Sequence, residues 1–392
     1  ELTHRAENIT NTALTGRWNL LRDIKASAVN REKFALLSDT SSAAIVNGSG
    51  AGIDSRGREQ ATVRVENAAI RTAGGQTFEA ANHLDDDKTE ISTAGFGGLG
   101  VNSSRLAQDR AYTAEVSLTN ADLSAKGKIG ALALTTGRLT AQNGLAGLGA
   151  VSTTTAFSDI KTSYENRVLV KGGKIATDLA EDGGSGSAIT LAAHENMSVS
   201  LSAVADNQYG LGGAAVTHLN TTLNRKNTVD IADGARIDGS GAVNLYAGRG
   251  LEGEKSALTY HVLSDVYNRA LIPFATTPRL DSRVSQENTV TTAAGTEVRG
   301  IGDVRLAADS AQETMKQSAR IYTVYTGQDD AEISTTEEGK RTAQIERKNG
   351  ATVNGSVTAG RHNRTAVEIT GEEPRGRHRA WERHPECLCS QL

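Results

Sequence analysis

With 392 residues, the chain is long enough for two or three ordinary domains or for one long repeat array. Its 42 basic and 46 acidic residues are interspersed, so they form neither an electrostatic footprint for nucleic acid nor a polybasic patch for anionic lipid, and no apolar run reaches the roughly 18 residues of a helical membrane span. Aromatic residues make up 4%, with 41 glycines and only 4 prolines, which excludes a core built on large rings and favours thin stacked coils with a narrow interior of small and branched side chains.

The opening segment, 1–42, begins Glu1-Leu2-Thr3-His4 without a methionine or a signal-peptide pattern, and reads as part of an internal fragment made of irregular coils or a short helix. Leu20, Leu21, Ile24 and Ala28 give Asn19 to Leu37 a helical spacing, and Ser310 to Arg320 carries a second helical alternative. From 43 to 371 the chain predicts a β-solenoid repeat array with units starting near 63, 116, 168, 229, 290 and 343. Val63/Val65, Val116/Leu118 and Val168/Val170 open the first three units, followed by Ile70, Leu123 and Ile175.

The pattern is sharpest in two later units. Asn227-Thr-Val-Asp-Ile-Ala-Asp-Gly234 matches Asn288-Thr-Val-Thr-Thr-Ala-Ala-Gly295, and both continue to Ile237 or Val298 and then to Val243/Leu245 or Val304/Leu306, at an offset of 61 residues. Ile345, Val357 and Ala359 fit the same template after a step of 53. Apolar residues alternate within each segment, which places Val229, Ile231, Val243 and Leu245 inward and the polar row outward. Glycines 234, 239 and 241, with Gly302 and Gly355 at the place of Gly241, predict corners with positive φ. A unit of this length predicts about three coils of roughly 20 residues, and some 18 coils would form a rod on the order of 85 Å long. On that spacing Asn166, Asn227 and Asn288 lie a whole unit apart, too far for an amide ladder.

Asp85 to Tyr112, Thr140 to Tyr164, Asp206 to Lys226 and Glu252 to Glu287 are less regular and read as widened or protruding loops suited to contacting partners. Motifs with possible chemistry lack the context they need. Gly95-x-Gly97-x-x-Gly100 and Gly248-x-Gly250-x-x-Gly253 match a dinucleotide fingerprint, but no helical face follows Gly100. Gly183 to Ser187 resembles a calcium-binding nonapeptide, but Ala188 stands where an aspartate is needed, and Asp85 to Asp87 reads as a solvated loop. His194-Glu195 opens like a zinc-protease motif, but residue 198 is Ser where the second histidine belongs. Asp230, Asp233 and Asp238 could supply the carboxylate cluster of a carbohydrate-active β-helix, but they read more simply as hydrated outward residues. The sequence therefore predicts no catalytic, cofactor-binding or metal residues and no cofactor. Fifteen unperiodic aromatics also argue against an outer-membrane barrel with aromatic girdles.

The unit carried by Asn227 through Gly248 and Asn288 through Asp309 resembles the repeats of filamentous-haemagglutinin-like adhesins exported by two-partner secretion, most closely the leukotoxin-type filamentous adhesins, with looser copies over residues 43 to 370. The resemblance implies a right-handed parallel β-helix at the bacterial cell surface or outside the cell. It further implies a non-catalytic stalk and adhesive surface, a host-cell surface protein or glycan as partner, and an outer-membrane transporter during export. A leukotoxin-like toxin fragment and a carbohydrate-active β-helix enzyme are the alternatives. Residues 372–392 break the composition: Cys387 and Cys389, the only cysteines, fall there with two prolines and a tryptophan. That tail reads as disordered or as the product of a frameshift, the alternative being a basic tail or a weak metal site at Cys387 and Cys389 with His378 and His384.

Overall fold

The computed structural model describes every residue except 1, 179–185, 209, 270, 327–331, 361–362 and 371–392. The described residues are mostly β-strand with no helix among them, and their strands join in a long, mostly parallel sheet compatible with a β-solenoid. The 372–392 tail lies outside the described residues, as does most of the Gly183 to Ser187 segment.

The sheet register fixes the size of one coil. Leu2 pairs with Ile53, Ile53 with Leu106, and Leu106 with Ser158. Asn166 pairs with Asn227, which pairs with Asn288, which pairs with Asn349. Each sequence unit is therefore one complete coil, which corrects the expectation of three 20-residue coils per unit. A single position is crossed seven times, at Asn8, Glu59, Tyr112, Tyr164, Arg225, Gln286 and Arg347. At about 4.8 Å per coil the stack is roughly 30 Å long, not 85 Å.

The coil is long because the stretches read as loops are strands. Gln76–Thr119 and Ile129–Lys171 run unbroken through the glycine-rich segments. Each coil has a three-faced part, such as Ala61–Val65, Ala68–Thr72 and Gln76–Ala80, whose inward residues Val63, Val65, Ile70, Phe78 and Ala80 are fully buried in one core. An outgoing leg and a returning leg then face each other across a second core that contains Ile91, Leu106, Tyr112, Tyr164 and Tyr260. The interior is thus wide enough for rings, contrary to the narrow core that the composition suggested. Tyr112 and Tyr164 stack at 5.5 Å between neighbouring coils.

Val229, Ile231, Val243 and Leu245 are each 0% exposed, in agreement with the inward assignment. The helical alternatives fail: Leu2–Leu20, Ile24–Glu32 and the start of Ala35–Thr72 are strands of the first coil, and Gln312–Thr326 is a strand. Coil-to-coil pairing satisfies the backbone along the whole segment, which a weak local helical spacing cannot outweigh. The last unit also starts elsewhere than near 343. Val290 stacks on Ala351, Val298 on Val357 and Val304 on Thr365, so the step of about 60 persists and Ile345 belongs to a leg, under Val284.

Changes of period are localised. Leu123 pairs with Ile175 at an offset of 52, whereas Ile129 pairs with Ile189 at an offset of 60, so eight residues enter at the corner between Thr177 and Ile189. The next coil gains its residues between Ala247 and Ala257, where Arg249 and Lys255 form an antiparallel bridge. Gly234 turns with φ of 69°, as the sequence suggested, and Gly295 does so with 79°, whereas Gly239, Gly241, Gly302 and Gly355 do not take the positive φ expected of them. Gly241 serves differently: a Cβ there would meet the Gly186 carbonyl oxygen at 2.1 Å, so glycine permits close approach of adjacent coils.

Candidate functional site

Between the two cores runs a column of buried polar side chains. Asn166 donates to Asn227 (2.9 Å), Asn227 to Asn288 (2.8 Å) and Asn288 to Asn349 (2.9 Å). This is the amide ladder that the shorter coil had seemed to forbid. Thr135 donates across to Asn166 at 2.7 Å, and Asn30 donates to Asn82 at 3.0 Å on the outgoing leg. Each amide satisfies its neighbour, so the polar column persists fully buried at Asn166, Asn227 and Asn288 and reaches partial exposure only at Asn349.

Two clusters of buried charge lie beside it. In the first, Arg110 donates to Glu32 (3.0 Å) and Ser55 (3.1 Å), and its guanidinium sits 4.1 Å over the Phe34 ring. Glu59 and Asp87 share this interior. The Phe34 amide donates to Asp87 at 3.2 Å. Burial, aided by the Glu32 charge, pushes the Glu59 carboxyl up to about 7 and the Asp87 carboxyl up to about 8. Asp87 is therefore no solvated loop residue. The positive φ of Asp86 and a register shift between Leu84 and Asp87 turn it inward.

In the second cluster Arg225, with a fully buried side chain, donates to Glu195 (2.9 Å), to Gln286 (3.2 Å) and to Glu313. Arg347 also donates to Glu313, joining three coils. Burial raises the Glu195 carboxyl from its ordinary value while Arg225 opposes the rise. Glu195 is thus an internal counter-ion, and His194 beside it is buried against the Ser256 hydroxyl at 3.1 Å, with burial lowering its pKa.

The period-two parity that identified Val229 also marks these groups. Counted backwards it passes through Asn227, Arg225 and Leu223, all of them buried. The charge of arginine hides that signal, because a charged residue on an inward step is ordinarily read as the end of a strand.

Among the described residues no group of three His, Cys, Asp or Glu side chains is placed to hold a metal ion. The three outward aspartates do not form a cluster of free carboxylates. Arg167 pairs with Asp230 (3.3 Å), Lys171 with Asp233 (3.0 Å), and Lys174 with Asp238 (3.5 Å), which Arg236 also contacts at 2.8 Å. Gly95 to Gly100 lies within Gln76–Thr119 and is followed by more strand, so it does not open a helix as the dinucleotide motif requires. The outer grooves mix both charge signs. One is lined by Arg17, Arg71, Asp122, Lys174 and Asp178 among others.

No family model, no curated protein and no solved structure matches this chain.

Proposed function

We propose that this chain is a segment of the stalk and adhesive surface of a secreted, filamentous-haemagglutinin-like bacterial adhesin, wound as a right-handed parallel β-helix and devoid of catalysis. Its support is the coil-on-coil pairing, which keeps one unit per coil through local register shifts while the outer faces vary. Such a stack presents a long ladder of side chains and spends its buried charges on its own cohesion. The location is extracellular or at the bacterial surface, reached through an outer-membrane partner transporter, and the ligand is a host-cell surface protein or glycan. No cofactor and no catalytic residue takes part in this role.

The test is adhesion. Purified rod should coat host cells saturably and block attachment of bacteria that display the parent protein. A rod that fails to bind any host cell, or one that depolymerises a polysaccharide with loss of activity on changing Asp230, Asp233 or Asp238, contradicts the proposal.

A further inference from the structure

The far edge of the coils, where the outgoing leg turns into the returning leg, carries large apolar side chains in the open. Ile45 and Val46 are 86% and 71% exposed, Leu99 is 54%, Leu211 64% and Leu271 72%. They are aligned by the register: Val46 stacks on Leu99, Leu99 on Val151, Val151 on Gly212, and Gly212 on Ile272. The result is an apolar ridge across five coils, about 20 Å long at the spacing of stacked strands.

Three features of this edge point to its occupant. Charge is withheld from it in every one of the five coils: no Asp, Glu, Lys or Arg occurs in 40–53, 91–104, 139–158, 207–217 or 270–278, although charged residues flank each stretch. The edge backbone is bonded from coil to coil; the Leu271 and Ile272 amides, for instance, donate to the Gly210 and Leu211 carbonyls at 2.9 and 3.0 Å. Entering a low-dielectric medium would therefore strand few polar backbone groups, the usual barrier to strands in lipid. Finally, the edge is a strip one or two side chains wide, on the order of a few hundred Å², well short of the ~800 Å² per partner that a stable dimer buries. A second copy of the chain is thus a poor fit, and an uncharged fluid surface that closes around a ridge is a good one.

We infer that this apolar edge inserts shallowly into the interfacial region of a lipid bilayer, lying on the membrane without crossing it. The inference does not depend on the adhesin reading. Because the ridge is uncharged, binding should not require anionic lipid and should survive high salt.

Flotation with phosphatidylcholine vesicles tests it. The full chain should float with the vesicles at low and at high salt. The triple variant Val46→Glu, Leu99→Glu, Leu271→Glu should lose at least about tenfold in bound fraction, each glutamate opposing insertion, while its circular dichroism stays unchanged because all three positions are exposed. As a check that does not depend on the triple variant folding, Leu99→Trp should shift to the blue and be quenched by brominated phosphatidylcholine, whereas Arg58→Trp, on an exposed leg face, should not. Wild-type protein that stays unbound, a triple variant that floats equally well, or an unquenched Trp at 99 overturns the inference. So does a dimer in light scattering that the glutamates dissociate in the absence of lipid binding, which would assign the edge to a second copy.

Discussion

The two halves of each coil solve the same stacking problem in different ways. In the three-faced half the inward columns repeat the same chemistry: Val65 stacks on Leu118, Leu118 on Val170, Val170 on Ile231. In the two-legged half one column runs Glu59, Tyr112, Tyr164, Arg225, Gln286, Arg347, with a new residue type at almost every step. Apolar columns are tolerant, since any branched side chain fills the layer. Polar columns are specific, since each group must find its partner in the coil above, below or opposite. The first half thus supplies cohesion, and the second sets which coil lies on which.

The largest expected effect falls in the cohesive half. Ile231→Asp would bury an unpaired carboxylate in the first core at a cost of about 5 kcal/mol or more, enough to unwind neighbouring coils. Urea unfolding followed by circular dichroism measures it, and an unchanged midpoint would remove the contrast between the halves. Next comes Arg225→Met, which leaves Glu195 and Glu313 without their main counter-charge and should cost about 3–5 kcal/mol. Replacing both glutamates by leucine in the same chain should restore much of that loss, because the charges hold position more than they add net stability. Asn227→Ala interrupts the amide ladder and orphans groups on Asn166 and Asn288, with an expected loss of about 1–3 kcal/mol in the same assay.

The smallest effect per step is a slope with pH. Glu59 and Asp87 have folded-state values raised to about 7 and about 8, so the folded chain holds protons that the unfolded chain releases near pH 4. Their contribution is complete below the unfolded values and is lost as pH rises through 7 and 8. Melting temperature should therefore fall from about pH 5 to about pH 9, by on the order of 1 kcal/mol of stability per pH unit. Glu32, Arg110 and Tyr112 face the same space, so the slope belongs to the cluster, and Glu59→Gln with Asp87→Asn should flatten it. A slope that survives this double change would place its origin elsewhere.

The cohesive half was legible in the sequence because its signal is direct: Val229, Ile231, Val243 and Leu245 alternate with polar residues and recur at fixed distance. The other half was hidden by its composition. Arg110, Arg225 and Glu195 occupy inward steps, and charge on an inward step suggests solvent until a partner across the coil is known. Glycines at 95–100 and 144–149 suggested loops, yet parallel pairing holds them as strand. Coil size followed from the same error, because a unit with half of its strands read as loops divides naturally into short coils. Nothing local in the sequence marks that Asn227 meets Asn288. Only pairing between distant segments does.

That contact also provides the most direct test of the architecture. Thr228 and Thr289 are register neighbours, and their hydroxyl oxygens lie 3.4 Å apart. With Cys387 and Cys389 changed to serine, the pair Thr228→Cys, Thr289→Cys should form an intramolecular disulfide readily on mild oxidation, seen as a mobility shift reversed by reductant. Three coils per unit would instead separate these positions by roughly 14 Å, beyond the ~7 Å that a disulfide can span between Cα atoms. Rapid closure of this bridge is the predicted result, and a pair that stays reduced while the chain remains folded would contradict one unit per coil.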